Sequence, residues 1–276
     1  MQAPAEPNPS APNPSPHGEW SEPVDKLHVG YVPSGAVNLN LDGRRVSTPL
    51  KGFGQLWRKT YRLRFAGSEV SPQEVVHTWK TRFPEFQPHE NRFFPTLEGI
   101  RPGELVFITG KVPPLPGLPA FLPVSSGVLV LYADDTSFSI VTPEGFPEAG
   151  YNTWSAFRDP DGVTVAQVQT FARTADPLYE FFYRGLGINR HQDSIWSHVL
   201  RQLAAAFGIQ GQVEIEKICI DTRLQWRAVG AIWQNAAIRT VFYGAAAPLR
   251  WLRRGIRGPK PNEETKANKH GGLIDP

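Results

Sequence analysis

The sequence predicts an α+β domain in which an antiparallel sheet packs against one long helix near the end of the chain. Strand-length segments with alternating apolar and polar residues follow one another, and good turn sequences join several of them. A long amphipathic segment comes after these strands, from Asp176 to Gly208. With 276 residues, 40% hydrophobic and 20% charged, the chain has an ordinary globular composition and enough length for a sizeable core.

The first predicted elements are a strand and a helix. Apolar and basic residues alternate through Trp57–Phe65, as in a strand with one buried face. Ser71, Pro72 and Glu74 then have the spacing of a capping box with proline at the first helical position. The sequence therefore predicts a helix that begins after Ser71 and ends before Pro84.

A second strand is predicted over residues 104–112, and a proline-rich apolar loop follows it. The prolines of this loop, which we expect to exclude regular strand pairing, are Pro113, Pro114, Pro116, Pro119 and Pro123. Its large apolar residues are Leu115, Leu118, Phe121 and Leu122. Such a loop must cover the core, a ligand or a lipid surface, and the core is the favoured of these three.

Two hairpins are predicted next. The first joins residues 127–133 and 136–142 through Asp134 and Asp135, and the second joins residues 151–158 and 163–172 through the turn Asp159-Pro-Asp-Gly162. The paired aspartates Asp134 and Asp135 are interpreted as a solvated turn rather than a catalytic dyad.

The strongest helical signal begins at Asp176 and Pro177, which have the types preferred at the N-cap and first position. Gly185 and Gly187 are expected to kink or break this helix, and Gly208 is expected to close it. A short strand-like segment follows over residues 213–220. The pattern from residue 224 to 243 is then helical again.

This order of elements resembles that of the SRPBCC superfamily, which contains the START and polyketide-cyclase-like domains with a helix-grip fold. The resemblance covers roughly residues 57–207. The stretch TPEGFPEAGYNTWSAF (142–157) together with DGVTVAQVQTFAR (161–173) also resembles an uncharacterised bacterial branch of that group. The resemblance implies a curved antiparallel sheet that grips the long helix, with an apolar cavity between them.

The resemblance also implies a ligand class, because cavities of this kind hold lipids, sterols, polyketides or other flat apolar molecules. Gln167 and Gln169 share one strand face and could orient a polar group of such a ligand, or they could simply face water. The alternatives stay open at this point. The candidate ligand-binding residues are Tyr132, Phe138, Trp154, Gln167, Gln169, Phe171 and Phe182.

The two ends of the chain differ from its middle in composition. Residues 1–23 are rich in proline and are expected to be disordered, residues 24–56 form an irregular lead-in, and residues 57–220 form the helix-grip domain. Residues 221–257 form a basic aromatic helical extension, and residues 258–276 form a disordered tail. Residues 222–260 contain seven Arg and one Lys without any Asp or Glu, a charge of +8, so the rest of the chain sums to −5 against the net +3.

The basic extension allows three interpretations. Trp226, Val229, Trp233 and Ala236 form an apolar helical stripe, which could pack on the domain. The segment could instead lie at an anionic membrane surface, or bind nucleic acid, and we favour the three in that order. Polar residues in its middle argue against a transmembrane helix. The candidate membrane- or anion-binding residues are Trp226, Trp233, Arg250, Trp251, Arg253, Arg254 and Arg257.

No motif in the sequence names a reaction. His191 and His198 lie two helical turns apart, too far for a shared metal ion, and are interpreted as solvated residues of a helix face. Cys219, the single cysteine, is interpreted as a buried structural thiol. The sequence contains no P-loop, no dinucleotide fingerprint and no nucleophile elbow. We expect no cofactor and no metal, and catalytic residues stay unassigned.

The sequence therefore predicts a protein that binds an apolar small molecule or lipid between sheet and helix, at or away from an anionic membrane surface. Two alternatives remain. One is an enzyme of the cyclase or hydrolase type that uses the same cavity, and the other is a membrane-surface adaptor without a ligand. The absence of a recognisable secretory signal and the single cysteine lead us to expect a cytoplasmic protein, with the inner membrane face as a further location.

Overall fold

The computed structural model describes residues 18–94, 99–112, 122–185 and 187–246. The chain divides into two compact units, residues 1–240 and residues 241–276. The first unit contains an open, curved sheet of nine strands, all paired antiparallel. In the second unit the described residues are 241–246, where Val241, Phe242 and Tyr243 are exposed.

The strands are β1 (Glu19–Trp20), β2 (Leu56–Arg64), β3 (Arg92–Phe94), β4 (Leu105–Val112), β5 (Leu122–Ala133), β6 (Ser137–Val141), β7 (Glu148–Arg158), β8 (Thr164–Thr174) and β9 (Glu214–Asp221). Their order across the sheet is β3-β4-β5-β6-β7-β8-β2-β9, and β1 pairs with β5 outside this path. Successive hairpins therefore build most of the sheet, while β2 crosses over to lie beside β8. The sheet order and the antiparallel pairing confirm the predicted α+β fold.

The α-helices are α1 (Pro72–Thr81), α2 (Pro177–Gly185), α3 (Ile188–Ala205) and α4 (Ala236–Ala245). Three 3-10 helices span Pro49–Lys51, Phe83–Phe86 and Trp226–Gln234. The predicted capping box of α1 is confirmed, because the Ser71 hydroxyl accepts from the Glu74 amide at 3.2 Å and the Glu74 carboxylate accepts from the Ser71 amide at 2.8 Å. The predicted N-cap of α2 is confirmed as well, since Asp176 accepts from the amides of Leu178 and Tyr179.

The two faces of the sheet are covered differently. We call the face that packs on α1 and α3 the inner face, and the opposite one the outer face. The inner face carries the largest core cluster, in which Tyr61 and Val168 are fully buried. On the outer face, Leu27 and Leu41 of the lead-in segment pack against Phe107. The predicted helix-grip arrangement is thus present: α3 lies along the inner face of a curved sheet.

Two turn predictions need correction. Pro123 lies in β5 and pairs with Lys111, although prolines were expected to exclude pairing there. At this point β5 pairs with β4, while its pairing with β6 begins only at Leu129, so a residue without an N–H donor is tolerated. Asp134 is buried rather than solvated, because its carboxylate accepts from the Ser137 amide and the Tyr132 hydroxyl. The other prolines of that loop lie outside the described residues.

The segment after β9 does not form one helix. A 3-10 helix, Trp226–Gln234, is followed by α4, and the break between them is at Asn235. The Asn235 side chain is buried and donates to Asp176 at 2.7 Å, which fixes the break against the start of α2. The apolar stripe is consequently split, with Ala236 buried and with Trp226 and Trp233 exposed. The interpretation that the stripe packs on the domain therefore does not fit Trp233, whereas Trp226 is exposed and still contacts Phe53.

Candidate ligand cavity

A cavity of 230 Å³ lies between the inner face of the sheet and the helices α2 and α3. Successive strands turn every second side chain toward it, and most of these side chains are apolar. The apolar and aromatic residues of the wall are Phe93, Ile108, Val124, Val128, Ile140, Phe146, Trp154, Tyr179, Phe182, Ile195, Trp196 and Ala237. One water molecule needs only about 10–15 Å³, so the cavity has room for a small organic molecule.

Two tryptophans form the floor of the cavity. Trp154 on β7 is buried and stacks on Phe138 with a centroid distance of 5.0 Å and an interplanar angle of 7°. Trp196 on α3 meets Trp154 edge-on at 5.6 Å. Phe138 in turn contacts Phe83 and therefore lies behind Trp154 as seen from the cavity. This aromatic packing fixes the tryptophan rings, and they offer a flat ligand a rigid surface.

A chain of buried polar side chains closes one side of the cavity. Glu148 on β7 lines the cavity and accepts a hydrogen bond of 2.8 Å from Gln192 on α3. Gln192 accepts one of 2.6 Å from the ammonium group of Lys59 on β2. The Tyr183 hydroxyl on α2 also donates to Glu148. These contacts tie the two helices to the sheet through groups that can gain or lose a proton.

Burial shifts the protonation of this chain of residues. The pKa of Glu148 is raised because burial disfavours its carboxylate, although Lys59, Gln192 and Tyr183 act in the opposite direction. The pKa of Lys59 is lowered, again mainly by burial. The pKa of Tyr183 is raised by burial and by the negative charge of Glu148, so its hydroxyl stays a proton donor. The cavity therefore has a titratable carboxyl group and a phenol in its wall.

A second, smaller pocket of 130 Å³ shares Glu148 and Tyr183 with the cavity. Its wall carries more basic than acidic side chains, namely Lys59, Arg173, Arg184 and Lys217 against Glu148 and Glu180. Arg173 pairs with Asp221 at 2.6 Å, and Arg184 pairs with Glu180 at 2.5 Å. Lys217 pairs with Asp193. We call this the polar pocket, because charged side chains make up much of its wall, whereas the wall of the cavity is mostly apolar.

Further polar groups of the cavity wall are amides and an imidazole. Asn152 on β7 and Gln87 are buried, and each has a side-chain oxygen without a hydrogen-bond partner among the described residues. His191 on α3 is half-buried and also lines the cavity. Its interpretation as a solvated residue of a helix face is therefore wrong, since it is half-buried and lines the cavity. A few polar groups in an apolar cavity are the usual means of orienting a ligand.

The structure places the predicted ligand-binding residues in two groups. Trp154 and Phe182 line the cavity, and Phe138 supports Trp154 from behind. The other four lie on the outer face of the sheet or point toward it, and they are Tyr132, Gln167, Gln169 and Phe171. Neither open interpretation of the glutamines fits Gln167, which is buried and accepts from the Arg62 guanidinium at 2.8 Å.

Four residues of this site were not predicted, although the periodicity of the strands and helices places them on the same faces as residues that were recognised. Glu148 is in phase with Trp154 along β7, and Lys59 is in phase with Tyr61 along β2. Gln192 lies one helical turn before Trp196 on α3, and Tyr183 follows Tyr179 by one turn on α2. Each polar residue thus shares the face of a recognised apolar one. The prediction failed because polar residues were assigned to the outside without testing their phase.

The predicted membrane-binding residues divide at residue 246. Trp226 and Trp233 are described, with exposed fractions of 69% and 85%. Trp226 meets Phe53 edge-on at 5.4 Å, so part of its ring is held against the domain. Arg250, Trp251, Arg253, Arg254 and Arg257 lie outside the described residues. Among the described residues, no helix has both the length and the hydropathy required to cross a membrane.

The remaining sequence candidates carry no chemistry in the described part of the chain. Cys219 lies on the edge strand β9 and is half-exposed, so its interpretation as a buried thiol is wrong. Among the described residues, its strand pairs with β2 alone and forms one edge of the sheet. His, Cys, Asp and Glu residues do not come together in groups of three that could hold a metal ion, as far as residues 18–246 are described.

No family model matches the chain, and no curated protein is similar to it in sequence. Among solved structures, it is similar to the di-domain ARO/CYC protein StfQ from the steffimycin biosynthetic pathway, with 16% identity and a TM-score of 0.37. That match covers 55% of this chain and 50% of the other, so it spans half the length of the di-domain protein.

Two further solved structures are similar to this chain. Protein Ms6760 from Mycobacterium smegmatis has 15% identity and a TM-score of 0.37, over 59% of this chain and 96% of that one. The major latex-like protein 151 from Panax ginseng has 14% identity and a TM-score of 0.32, over 55% and 97%. The fold assignment does not depend on these values, because it follows from the sheet order and the position of α3. These two features are those of the helix-grip fold that the sequence predicts.

Proposed function

We propose that this protein binds an apolar small molecule in the cavity between the sheet and α3. The observation that carries the proposal is the cavity itself, which has 230 Å³ of space and a wall of aromatic and aliphatic side chains. Protein interiors are otherwise packed as densely as organic crystals. An apolar molecule in this space would leave water for an apolar wall, which is favourable.

The shape of the wall favours a flat ligand with one polar end. The rings of Trp154 and Trp196 provide a rigid aromatic surface on one side. Asn152, His191 and Glu148 provide hydrogen-bonding groups toward the other. An aromatic or polycyclic molecule with a hydroxyl or carbonyl group fits this arrangement, since its ring can lie on the tryptophans while its polar group meets the polar side chains.

Native mass spectrometry of protein purified from cells tests the proposal. We expect a population of molecules heavier than the chain by the mass of one small organic compound, which extraction with organic solvent removes. The control is the same protein after unfolding and refolding in the absence of cell extract, which should show the mass of the chain alone. Spectra without any added mass, together with no binding of a neutral naphthalene compound to the refolded protein, would contradict the proposal.

A second candidate function is acid–base catalysis on a molecule bound in the same cavity. Glu148, which carries a raised pKa and a hydrogen bond from Tyr183, is the observation that favours it. A carboxyl group with a pKa moved toward neutrality can exchange a proton with a substrate. Incubation with a metabolite extract should then change the mass of one metabolite with the native protein and not with Glu148→Gln. Identical extracts after both incubations would leave binding as the function.

Contact with an anionic membrane surface is a further candidate, favoured by the exposure of Trp226 and Trp233 within the acid-free segment 222–260. Tryptophan partitions to the headgroup region, and arginine is attracted by anionic lipids. The double variant Trp226→Ala/Trp233→Ala should lose most of its co-sedimentation with anionic vesicles. Trp20→Ala is the matched control, because Trp20 is 63% exposed and lies on β1. Equal losses in both variants, or none in either, would count against this candidate.

A further inference from the structure

The charge of the cavity wall indicates which ligands it accepts. The described residues that line it include one carboxyl group, that of Glu148, and neither a lysine nor an arginine. A negatively charged ligand would therefore meet no permanent positive charge on the described wall.

Lys59, which is hydrogen-bonded through Gln192 to the cavity wall, already has partners. Its ammonium group donates to Gln192 at 2.6 Å and lies 4.0 Å from the Asp193 carboxylate. Lys59 lines the polar pocket rather than the cavity, and Gln192 links it to Glu148, which lines both. Neutralisation of a carboxylate ligand by Lys59 would require this hydrogen-bonded chain to open.

From these positions we propose that the cavity selects neutral ligands over carboxylates, and that Glu148 is the side chain that sets this preference. The inference rests on the proposed binding function. A carboxylate that leaves water for an apolar cavity loses its hydration and gains no counter-ion there, whereas a hydroxyl group loses far less. The carboxyl group of Glu148 adds repulsion when it is ionised, and it accepts a hydrogen bond from a ligand hydroxyl in the same state.

A pair of ligands with the same ring system tests this selectivity. We would titrate the full-length chain with 2-naphthol and with 2-naphthoic acid by isothermal calorimetry at pH 8, where an imidazole in water is uncharged. The expected result is an affinity for 2-naphthol that is higher by roughly tenfold or more, because the carboxylate alone is desolvated without compensation. Equal affinities, or tighter binding of the naphthoate, would overturn the inference while leaving the proposed binding function in place. Binding of neither compound would overturn both.

Two variants test whether the cavity wall sets the ratio of the affinities for 2-naphthol and 2-naphthoic acid. Glu148→Gln removes the carboxyl group, so the naphthoate should gain affinity and the ratio should fall by roughly threefold or more. Asn152→Asp adds a carboxyl group to the same wall and should raise the ratio. The matched control is Glu69→Gln, which makes the same change of net charge at an exposed residue outside the cavity wall and should leave the ratio unchanged. A ratio that is the same in all four proteins would overturn the role of Glu148.

Discussion

The inner face of the sheet has two halves, and the helices cover them in different ways. Beyond Trp154, the face is filled by side chains of α1 and of the C-terminal part of α3, including the fully buried Trp79, Leu200 and Leu203. We call this the packed half. On the other side of Trp154, α2 and the N-terminal part of α3 leave the cavity, which we call the cavity half. The same sheet therefore supplies a solid core and a binding site.

The difference follows from what lies opposite the strands. In the packed half, Trp79 and Phe83 reach Phe138 edge-on with centroid distances of 6.3 Å and 5.9 Å, so large rings fill the space between the layers. In the cavity half, α2 begins at Pro177 and ends at Gly185, and α3 starts only after Gly187. Tyr179 and Phe182 of α2 and Ile195 of α3 border the cavity from the helical side. The cavity thus lies where two separate helices, rather than one, face the sheet.

Replacement of a large side chain of α3 by alanine should give the largest change in the free energy of unfolding, and the change should differ strongly between the two halves. Leu200→Ala should lower the free energy of unfolding by about 2–5 kcal/mol, because the fully buried side chain leaves a void in a close-packed core. Ile195→Ala should cost roughly 1 kcal/mol or less, since Ile195 already borders open space. Urea unfolding of both variants measures the difference. Equal losses would show that the cavity half is as closely packed as the other.

Enlargement of a side chain on the inner face should lower the stability of the protein in the packed half, and it should leave stability unchanged or raise it in the cavity half. Val168→Phe should destabilise the protein by about 1–3 kcal/mol, because Val168 is fully buried in the packed half. Val128→Phe should leave stability unchanged or raise it slightly, since the added ring can enter the cavity that Val128 lines. Thermal unfolding of the two variants checks this. A similar loss in both would mean that the cavity cannot accept a ring.

Acid should weaken the fold at the rim of the polar pocket, beside the cavity half. Hydrogen bonds from Arg223 and from Arg173 hold the pKa of Asp221 below its ordinary value. The folded state therefore binds this proton less tightly than the unfolded chain does. The resulting stability is complete above the unfolded pKa of about 3.9 and is lost as the pH falls through the lowered folded pKa.

The variant Asp221→Asn isolates this contribution. Below about pH 4, the unfolding free energy of the native chain should fall more steeply with pH than that of the variant. Between pH 5 and 7 neither should depend on this residue's protonation. Parallel curves for the two proteins across the acid range would remove Asp221 as the cause.

The smallest effect is expected in the packed half at the start of α1. Ser71→Ala removes the hydroxyl group that accepts from the Glu74 amide, and should cost about 1 kcal/mol. Ser68→Ala is a suitable control, because Ser68 precedes the helix and its hydroxyl accepts only from the Val70 amide among the described contacts. Urea unfolding of both variants compares them. A loss at Ser68 as large as that at Ser71 would argue against the capping box as the source.

The elements were predictable where local chemistry decides them. The capping box at Ser71, the N-cap at Asp176 and the hairpin turn at Asp159 each depend on a few neighbouring residues, and all three are present. The segment after β9 was not predictable in the same way. Its helical pattern is interrupted because Asn235 is held by Asp176, a residue 59 positions earlier in the chain.

The site was predictable only in part for a related reason. Trp154 and Phe182 were predicted because large aromatic residues in a strand or a helix are recognisable candidates for ligand contact. Glu148 and Lys59 were not, because the cost of burying a charge argues against it unless a partner is known. Their partner is Gln192, which follows Lys59 by 133 positions and joins them only in the folded chain. The alternation of side chains along each strand places Glu148 and Lys59 on the inner face, whereas nothing in the sequence indicates that both contact Gln192.

Titration of 2-naphthol into the native chain and into Val128→Phe tests the central claim most directly. If the cavity between the sheet and α3 is the binding site, the native chain should bind the compound at one saturable site, and the variant should bind it at least roughly tenfold more weakly because the added ring occupies the same space. Val128→Phe should remain folded in the same buffer, as judged by its thermal unfolding. Equal binding by the native chain and the folded variant, or no binding to the native chain, would contradict the claim.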